Sequence, residues 1–255
     1  MIQNLVVNGC SYTECYARGN GHIDLAKQLK ITHQWQSKTP NVTSLSIGGS
    51  ANSRIIRTTI KHSYQTKEPT FYIMGMTFVS REELTILKGD DINPTFEGRW
   101  CNPQNLEFSD NYDHFWSREE SEKFVEFKLK TEVYSLLDRT ENLMYNILSA
   151  IHSLHARGHR VLVYQQADVS YRYLLDNPSL ALLSSTDCII DGFNWCAIEY
   201  QHEQGVEKLP LAPGNFIGPK TVPDHMRHPV PGHHQVLNDY LVNYINDHNI
   251  LTREI

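Results

Sequence analysis

The chain has 255 residues, a length that suits one large domain or two small ones. Its 23 basic and 29 acidic residues give a net charge of −6, which argues against a general nucleic-acid binder, while a hydrophobic fraction of 40% is enough to build a core. No apolar run in the sequence reaches the roughly 18 residues of a membrane-spanning helix, and the first residues lack the basic and apolar regions of a secretory signal.

Cysteine usage indicates the redox environment of the chain. The five cysteines are scattered and include no Cys-x-x-Cys pair: Cys10, Cys15, Cys101, Cys188 and Cys196. This pattern favours free thiols in a reducing compartment over a disulfide framework or a zinc ribbon. The sequence therefore predicts an intracellular, cytoplasmic protein.

Strand and helix patterns alternate along the first part of the chain. Short apolar runs followed by glycine-containing turns predict three strands, at 2–7, 42–47 and 70–74. Between them, apolar residues at helical spacing predict helices over 23–31 and 52–63. Strands that alternate with helices in this way are typical of a parallel sheet with helices on both faces.

Residues 82–116 interrupt this alternation. The segment contains prolines, glycines and several large rings: Phe96, Trp100, Phe108, Tyr112, Phe115 and Trp116. A loop of this length is uncommon unless it is functional or disordered, so the sequence predicts a large aromatic-rich insertion. Its rings either close over a binding site or bury one another or a second subunit, and both interpretations stay open.

The pattern resumes after the insertion. A capping box at 117–120 predicts the start of a helical region that reaches about Arg157, and apolar runs predict strands at 160–165 and 188–190. Pro231 and Gly232 introduce a final amphipathic helix. The sequence thus favours a single α/β domain over 1–255.

Polar residues follow three of the predicted strands, where parallel sheets bind their ligands. These segments are 8–13, 48–52 and 75–77, and a further segment at 223–229 supplies an aspartate and two histidines before the last helix. A serine on a tight turn, nearby amide donors and an Asp–His pair are the components of nucleophilic acyl transfer.

This order of segments resembles the SGNH (GDSL-like) hydrolase superfamily. Gly-Cys-Ser at 9–11 stands where that family has Gly-Asp-Ser, and this variant is similar to poorly characterised bacterial and phage members. The segments 44–49, 75–77 and 224–228 stand in the places of the second, third and last blocks. The resemblance implies a three-layer α/β/α sandwich with a parallel, flavodoxin-like sheet of about five strands.

The resemblance also implies residue roles. Ser11 would be the nucleophile, His228 the base and Asp224 the group that orients it, and the oxyanion hole would comprise Gly49, Asn52 and Thr77. Two features depart from the family. Thr77 replaces an asparagine, for which Asn52 is the substitute donor, and Asp224 and His228 are four residues apart instead of three.

Structural alternatives exist for several of these residues. In the structural alternative, Ser11 is only a turn residue, Asn52 is a helix cap and Thr77 is a hydroxyl bonded to the backbone. The histidines near Asp224 raise the possibility of a metal site, but His228 and His233 are five residues apart, a poor match to the i, i+4 pair of a helical metal site. The sequence therefore predicts neither metal nor cofactor.

These inferences favour an esterase that cleaves a small O-acyl ester, with no nucleic-acid or membrane partner. An acyltransferase would use the same residues. The hypothesis from another class is a non-catalytic binding or structural module of the same fold, for example in a phage particle. The insertion at 82–116 would then hold a protein partner or a second copy of the chain.

Overall fold

The architecture follows from a computed structural model of the chain. It describes residues 2–31, 41–47, 50–77, 79, 123, 138–166, 178, 181, 185–206 and 234–253, together with the backbone of 82–88, 95–102, 107–108 and 136–137. The strands in these residues are β1 Asn4–Asn8, β2 Asn41–Ser44, β3 Thr70–Met76, β4 Glu82–Lys88, β5 Thr95–Asn102, β6 Glu107–Phe108 and β7 Arg160–Gln165. The helices are α1 Ser11–Arg18, α2 Gly21–Gln28, α3 Asn52–Gln65, α4 Leu136–Ala156, α5 Ala197–Glu203 and α6 Gln235–Asp247, with a 3-10 helix at Ile190–Phe193.

Four parallel strands form the central sheet in the order β2-β1-β3-β7. Val6 of β1 is paired with Thr43 on one side and with Tyr72 on the other. Beyond β7, an isolated parallel bridge joins Val163 to Ile189, at the place of the fifth predicted strand. The order matches the start of the flavodoxin-like arrangement, and the predicted α/β/α sandwich is confirmed.

Each face of the sheet is covered by its own helices. Successive strand residues point to opposite faces, so Leu5 and Val7 pack with α1, α2 and α6, whereas Val6 packs with α3 and α4. Both layers are apolar, and β1, β3 and β7 are buried on both faces, as expected for the inner part of a parallel sheet, whereas the edge strand β2 is largely exposed.

A second, antiparallel sheet lies within the predicted insertion. Its order is β4-β5-β6, and Thr85 of β4 is paired with Gly98 of β5. The sequence signalled no strands here, because the expected alternation of apolar and polar residues is weak. The side chains of the aromatic residues in 82–116 lie outside the described residues.

Three local differences from the sequence predictions have physical causes. The strand predicted to end at Met74 continues through Gly75 to Met76, because Gly75 serves close packing and does not open a turn. The predicted strand at 188–190 contributes only the bridge at Ile189 before the chain enters the 3-10 helix. A helix, α1, begins two residues after Gly9, where the sequence indicated only a turn.

Candidate functional site

Two glycines let the carboxyl ends of β1 and β3 approach each other. A Cβ on Gly9 would lie 2.0 Å from the Thr13 hydroxyl oxygen and 3.1 Å from the carbonyl oxygen of Gly75. A Cβ on Gly75 would lie 2.5 Å from the amide oxygen of Gln166. Neither position accommodates a side chain, which explains why both strands carry glycine at this edge of the sheet.

Ser11 occupies the first turn of a helix at this edge. It is the first residue of α1, directly after the extended Cys10, and it is half-buried. Since β1 lies inside the sheet, between β2 and β3, Ser11 stands near the middle of the carboxyl edge. The start of a helix favours negative charge, so this position suits a hydroxyl that attacks a carbonyl group.

Asn52 and Thr77 meet at the end of β3. The Asn52 side chain accepts a 2.8 Å hydrogen bond from the Thr77 backbone N–H and donates a 3.1 Å bond to the Thr77 carbonyl oxygen. Asn52 is the first residue of α3, whose N-cap is Ala51, so its interpretation as a helix cap is wrong. Its buried amide group instead ties the start of α3 to the end of β3.

Asn8 provides a second tie between the sheet and α3. Its amide nitrogen donates to the hydroxyls of Thr58 and Thr59 at 2.8 and 2.9 Å and to the Ile55 carbonyl oxygen at 2.9 Å. Its amide oxygen accepts from the Gly9 N–H at 2.9 Å. These bonds hold the chain that leads into Ser11 against α3.

Three of the predicted site residues lie outside the described residues: Gly49 and the two predicted triad partners, Asp224 and His228. The described residue that follows them is His234, immediately before α6. Its Nε2 lies 3.2 Å from the Cys15 carbonyl oxygen of α1, and its ring packs edge-on against Tyr16 at 5.0 Å. The chain therefore returns to α1 just before the last helix. His234 is also the one described member of the histidine cluster near Asp224.

A buried polar cluster underlies the site, and sequence reasoning missed it. The Gln166 amide oxygen accepts hydrogen bonds from Thr13 at 2.8 Å and from Tyr164 at 2.7 Å. Burial raises the pKa of Tyr164 well above its ordinary value, so the phenol remains a donor. The available signal was the polar pair Gln165-Gln166 at the end of the predicted strand at 160–165, a fourth strand end at the same edge.

Gln165 is the other member of that pair and is fully buried. Within the part of the chain that the structure describes, neither its amide nitrogen nor its amide oxygen has a hydrogen-bond partner. A buried amide without partners lowers stability by about 1–3 kcal/mol.

Two negative findings concern only the described residues. In those ranges, no helix is both long enough and apolar enough to cross a membrane. The same residues bring together no group of three histidine, cysteine or carboxylate side chains with the spacing of a metal site.

Comparison with known proteins gives a likeness in structure but none in sequence. The sequence matches no protein-family model and no curated protein. A crystal structure of a proposed acylhydrolase from Bacteroides fragilis aligns with 96% of this chain and 87% of its own, at a TM-score of 0.40 and 12% identity. Neither of these last two values is high enough to transfer a function from that protein to this chain.

Proposed function

We propose that the protein is an ester hydrolase of the SGNH type that cleaves a small acyl ester with Ser11 as its nucleophile. The observation that carries the proposal is the position of Ser11 at the start of α1, on the edge where β1 and β3 end and where Asn52 holds Thr77. A parallel sheet binds its substrate at this edge.

In the proposed mechanism, Ser11 attacks the ester carbonyl and His228 accepts the hydroxyl proton. Asp224 orients the imidazole and stabilises its protonated form. The backbone N–H groups of Ser11 and Gly49, with Thr77 or Asn52, would face the oxyanion. His228 then returns the proton to the leaving alcohol, and water releases the acid in a second step.

Residues on both sides of Gly49 support its part in this proposal. The Ile47 N–H donates to the Gly9 carbonyl oxygen at 3.3 Å, and the Ser50 hydroxyl donates to the Ile47 carbonyl oxygen at 2.7 Å. Ile47 and Ser50, the described residues on either side of the segment that contains Gly49, are thus bonded to each other, and Ile47 is bonded to the turn that precedes Ser11.

Chain length supports the part of His228. His228 lies six positions before His234, and such a span extends to about 20 Å. His234 contacts Cys15, which lies four residues along α1 from Ser11, a rise of about 6 Å. A chain of this length is long enough to bring His228 to the Ser11 hydroxyl, as the proposal requires.

Active-site labelling tests the nucleophile. Wild-type protein should react with a fluorophosphonate probe and release nitrophenol from p-nitrophenyl acetate, and Ser11→Ala should lose both activities. Ser149→Ala, on the exposed side of α4, is the matched control and should retain them. Labelling of Ser11→Ala at the wild-type rate would exclude Ser11 as the nucleophile.

Two further substitutions test the base. His228→Gln should abolish turnover, whereas His225→Gln, three residues earlier, should retain it. The opposite result would move the base to His225 and leave Asp224 without its proposed role. Added alcohol acceptors distinguish transfer from hydrolysis, because a transferase forms a new ester with the acceptor.

One observation favours the non-catalytic alternative. The Asn52 amide is engaged at both its nitrogen and its oxygen by the Thr77 backbone, as a structural tie would be. A binding module of this fold would show no probe labelling of wild-type protein and would co-purify with a partner held by the insertion.

A further inference from the structure

A cavity of about 190 Å³ opens beside the carboxyl end of β7. It lies between the 3-10 helix Ile190–Phe193 and α5, and Cys196 forms part of its wall. Cys196 also packs against Cys10, the residue before Ser11. The cavity is therefore on the same edge of the sheet as Ser11, but none of the described residues that are proposed for catalysis lines it.

Aromatic rings form one wall of the cavity. Trp195 and Tyr200 line it, with ring centroids 5.7 Å apart. Tyr240 of α6 stacks on Trp195 at 4.2 Å with an interplanar angle of 5°, and it also contacts Tyr200 at 4.9 Å. The stack fixes the Trp195 ring in place, so the wall is preformed and needs little ordering when a ligand binds.

Carboxylates form much of the rest of the lining. Asp191, Glu199 and Glu203 all border the cavity, and its described lining contains no lysine, arginine or histidine. Asp191 accepts a 2.9 Å hydrogen bond from the Tyr240 hydroxyl, which links the acidic side of the cavity to the aromatic stack. The described lining is thus acidic as well as aromatic.

Asp191 lies in a strained stretch of backbone. Asp191, Gly192 and Phe193 are consecutive residues with positive φ angles of 45°, 57° and 68°. Only glycine adopts such angles without cost, and strained residues that persist are common around ligands. The Tyr240 bond and the buried Phe193 ring are the contacts that retain this conformation.

We infer that this cavity binds a small organic cation, a ligand with an ammonium or guanidinium group. The faces of tryptophan and tyrosine rings attract such cations, and the surrounding carboxylates balance their charge. An organic cation with an apolar surface also gains from contact with the rings, which a hydrated metal ion does not. The inference does not depend on the hydrolase proposal, since it uses no catalytic residue.

Nuclear magnetic resonance of the full-length chain tests the inference with tetramethylammonium chloride as the probe. The indole N–H signal of Trp195 is identified as the one missing from Trp195→Phe. It should shift saturably with tetramethylammonium but not with sodium chloride or with uncharged tert-butanol of similar size. The binding should weaken as salt concentration rises.

Charge variants complete the experiment. The double variant Glu199→Gln/Glu203→Gln should weaken binding about three- to tenfold, as expected for the loss of two partly exposed charge interactions. Glu68→Gln, an exposed carboxylate at the amino end of β3, should bind as wild type does. The spectrum of each variant reports whether it remains folded.

Two results would overturn the inference. Equal shifts with tert-butanol or glucose would mean that the cavity recognises shape or hydroxyl groups instead of positive charge. Unchanged tetramethylammonium affinity in a folded Glu199→Gln/Glu203→Gln variant would mean that the carboxylates play no part.

Discussion

The hydrogen-bonded cluster below Ser11 allows a quantitative test of the structure. Gln166 carries one buried amide oxygen that accepts from both Thr13 and Tyr164, and these three residues are at most 2% exposed. One donor is enough to avoid an unsatisfied buried acceptor. Removal of either donor should therefore be mild, and removal of both should be severe.

The expected magnitudes follow from the number of bonds. Tyr164→Phe and Thr13→Val each remove one bond and should each cost about 1 kcal/mol of unfolding free energy. The double variant loses both bonds and also leaves the Gln166 oxygen buried without a donor, which adds about 1–3 kcal/mol. The total should be about 3–5 kcal/mol, more than the sum of the two single effects.

Urea unfolding followed by circular dichroism measures these three variants against wild type. Tyr145→Phe, which removes a hydroxyl from an exposed side chain of α4, is the control and should be neutral. Strict additivity, with no coupling between Thr13 and Tyr164, would refute the shared-acceptor interpretation. It would mean that the Gln166 oxygen does not depend on these two donors.

Three further predictions concern single residues. Gln165→Met should raise the unfolding free energy by about 1–2 kcal/mol, because it removes a buried amide without described partners; lower stability in urea would show that the amide has a partner. Asn52→Leu should lower the unfolding free energy by about 2–4 kcal/mol, because the backbone N–H and C=O of Thr77 both lose their hydrogen bond to the Asn52 side chain. A neutral effect in the same urea assay would contradict the structural role of these two bonds. Burial lowers the pKa of His159, whose Nδ1 accepts from the Thr70 N–H, so the folded state binds fewer protons and stability should fall as the pH drops below the ordinary histidine pKa. His159→Asn, which retains an acceptor, should reduce that fall between pH 7.5 and 5.5; an unchanged profile would assign it to other histidines.

The local sequence pattern was sufficient to predict much of the central sheet. The strand predicted at 160–165 is β7 with the same bounds, and the helix predicted at 52–63 is α3 with two more residues. In both cases a continuous apolar or periodic run is bounded by turn residues. Such signals are local, and the final packing does not override them.

Local pattern failed where packing decides the conformation. Gly75 was interpreted as the end of a strand, but this position requires glycine because the Gln166 side chain leaves no room for a Cβ. Gln166 is 91 residues away in the sequence. α1 was missed because its buried positions are two tyrosines and a threonine, not aliphatic residues; the i, i+4 spacing of Tyr12 and Tyr16 was the available signal.

The candidate site was also predicted only in part. The strand-end rule placed Ser11 and Thr77 at one edge from sequence alone, but it did not predict that Asn52 binds the Thr77 backbone. That bond joins residues 25 positions apart and depends on how α3 approaches β3. Sequence spacing identifies which residue types are available, whereas the approach of the elements determines what those residues bind.

The edge also indicates how a site with a substituted third block would perform. Loss of one side-chain donor to an oxyanion costs about 2.7–4 kcal/mol of transition-state stabilisation. α1 and α3 both begin at this edge, and each helix start stabilises a nearby negative charge by about 0.3–1 kcal/mol. Two helix starts offset part of that loss and leave a deficit of about 1–3 kcal/mol, which corresponds to turnover about five- to 150-fold slower. If the protein is the proposed esterase, its Thr77→Asn variant should therefore turn over faster than wild type, provided that the new amide reaches the oxyanion without displacing Asn52.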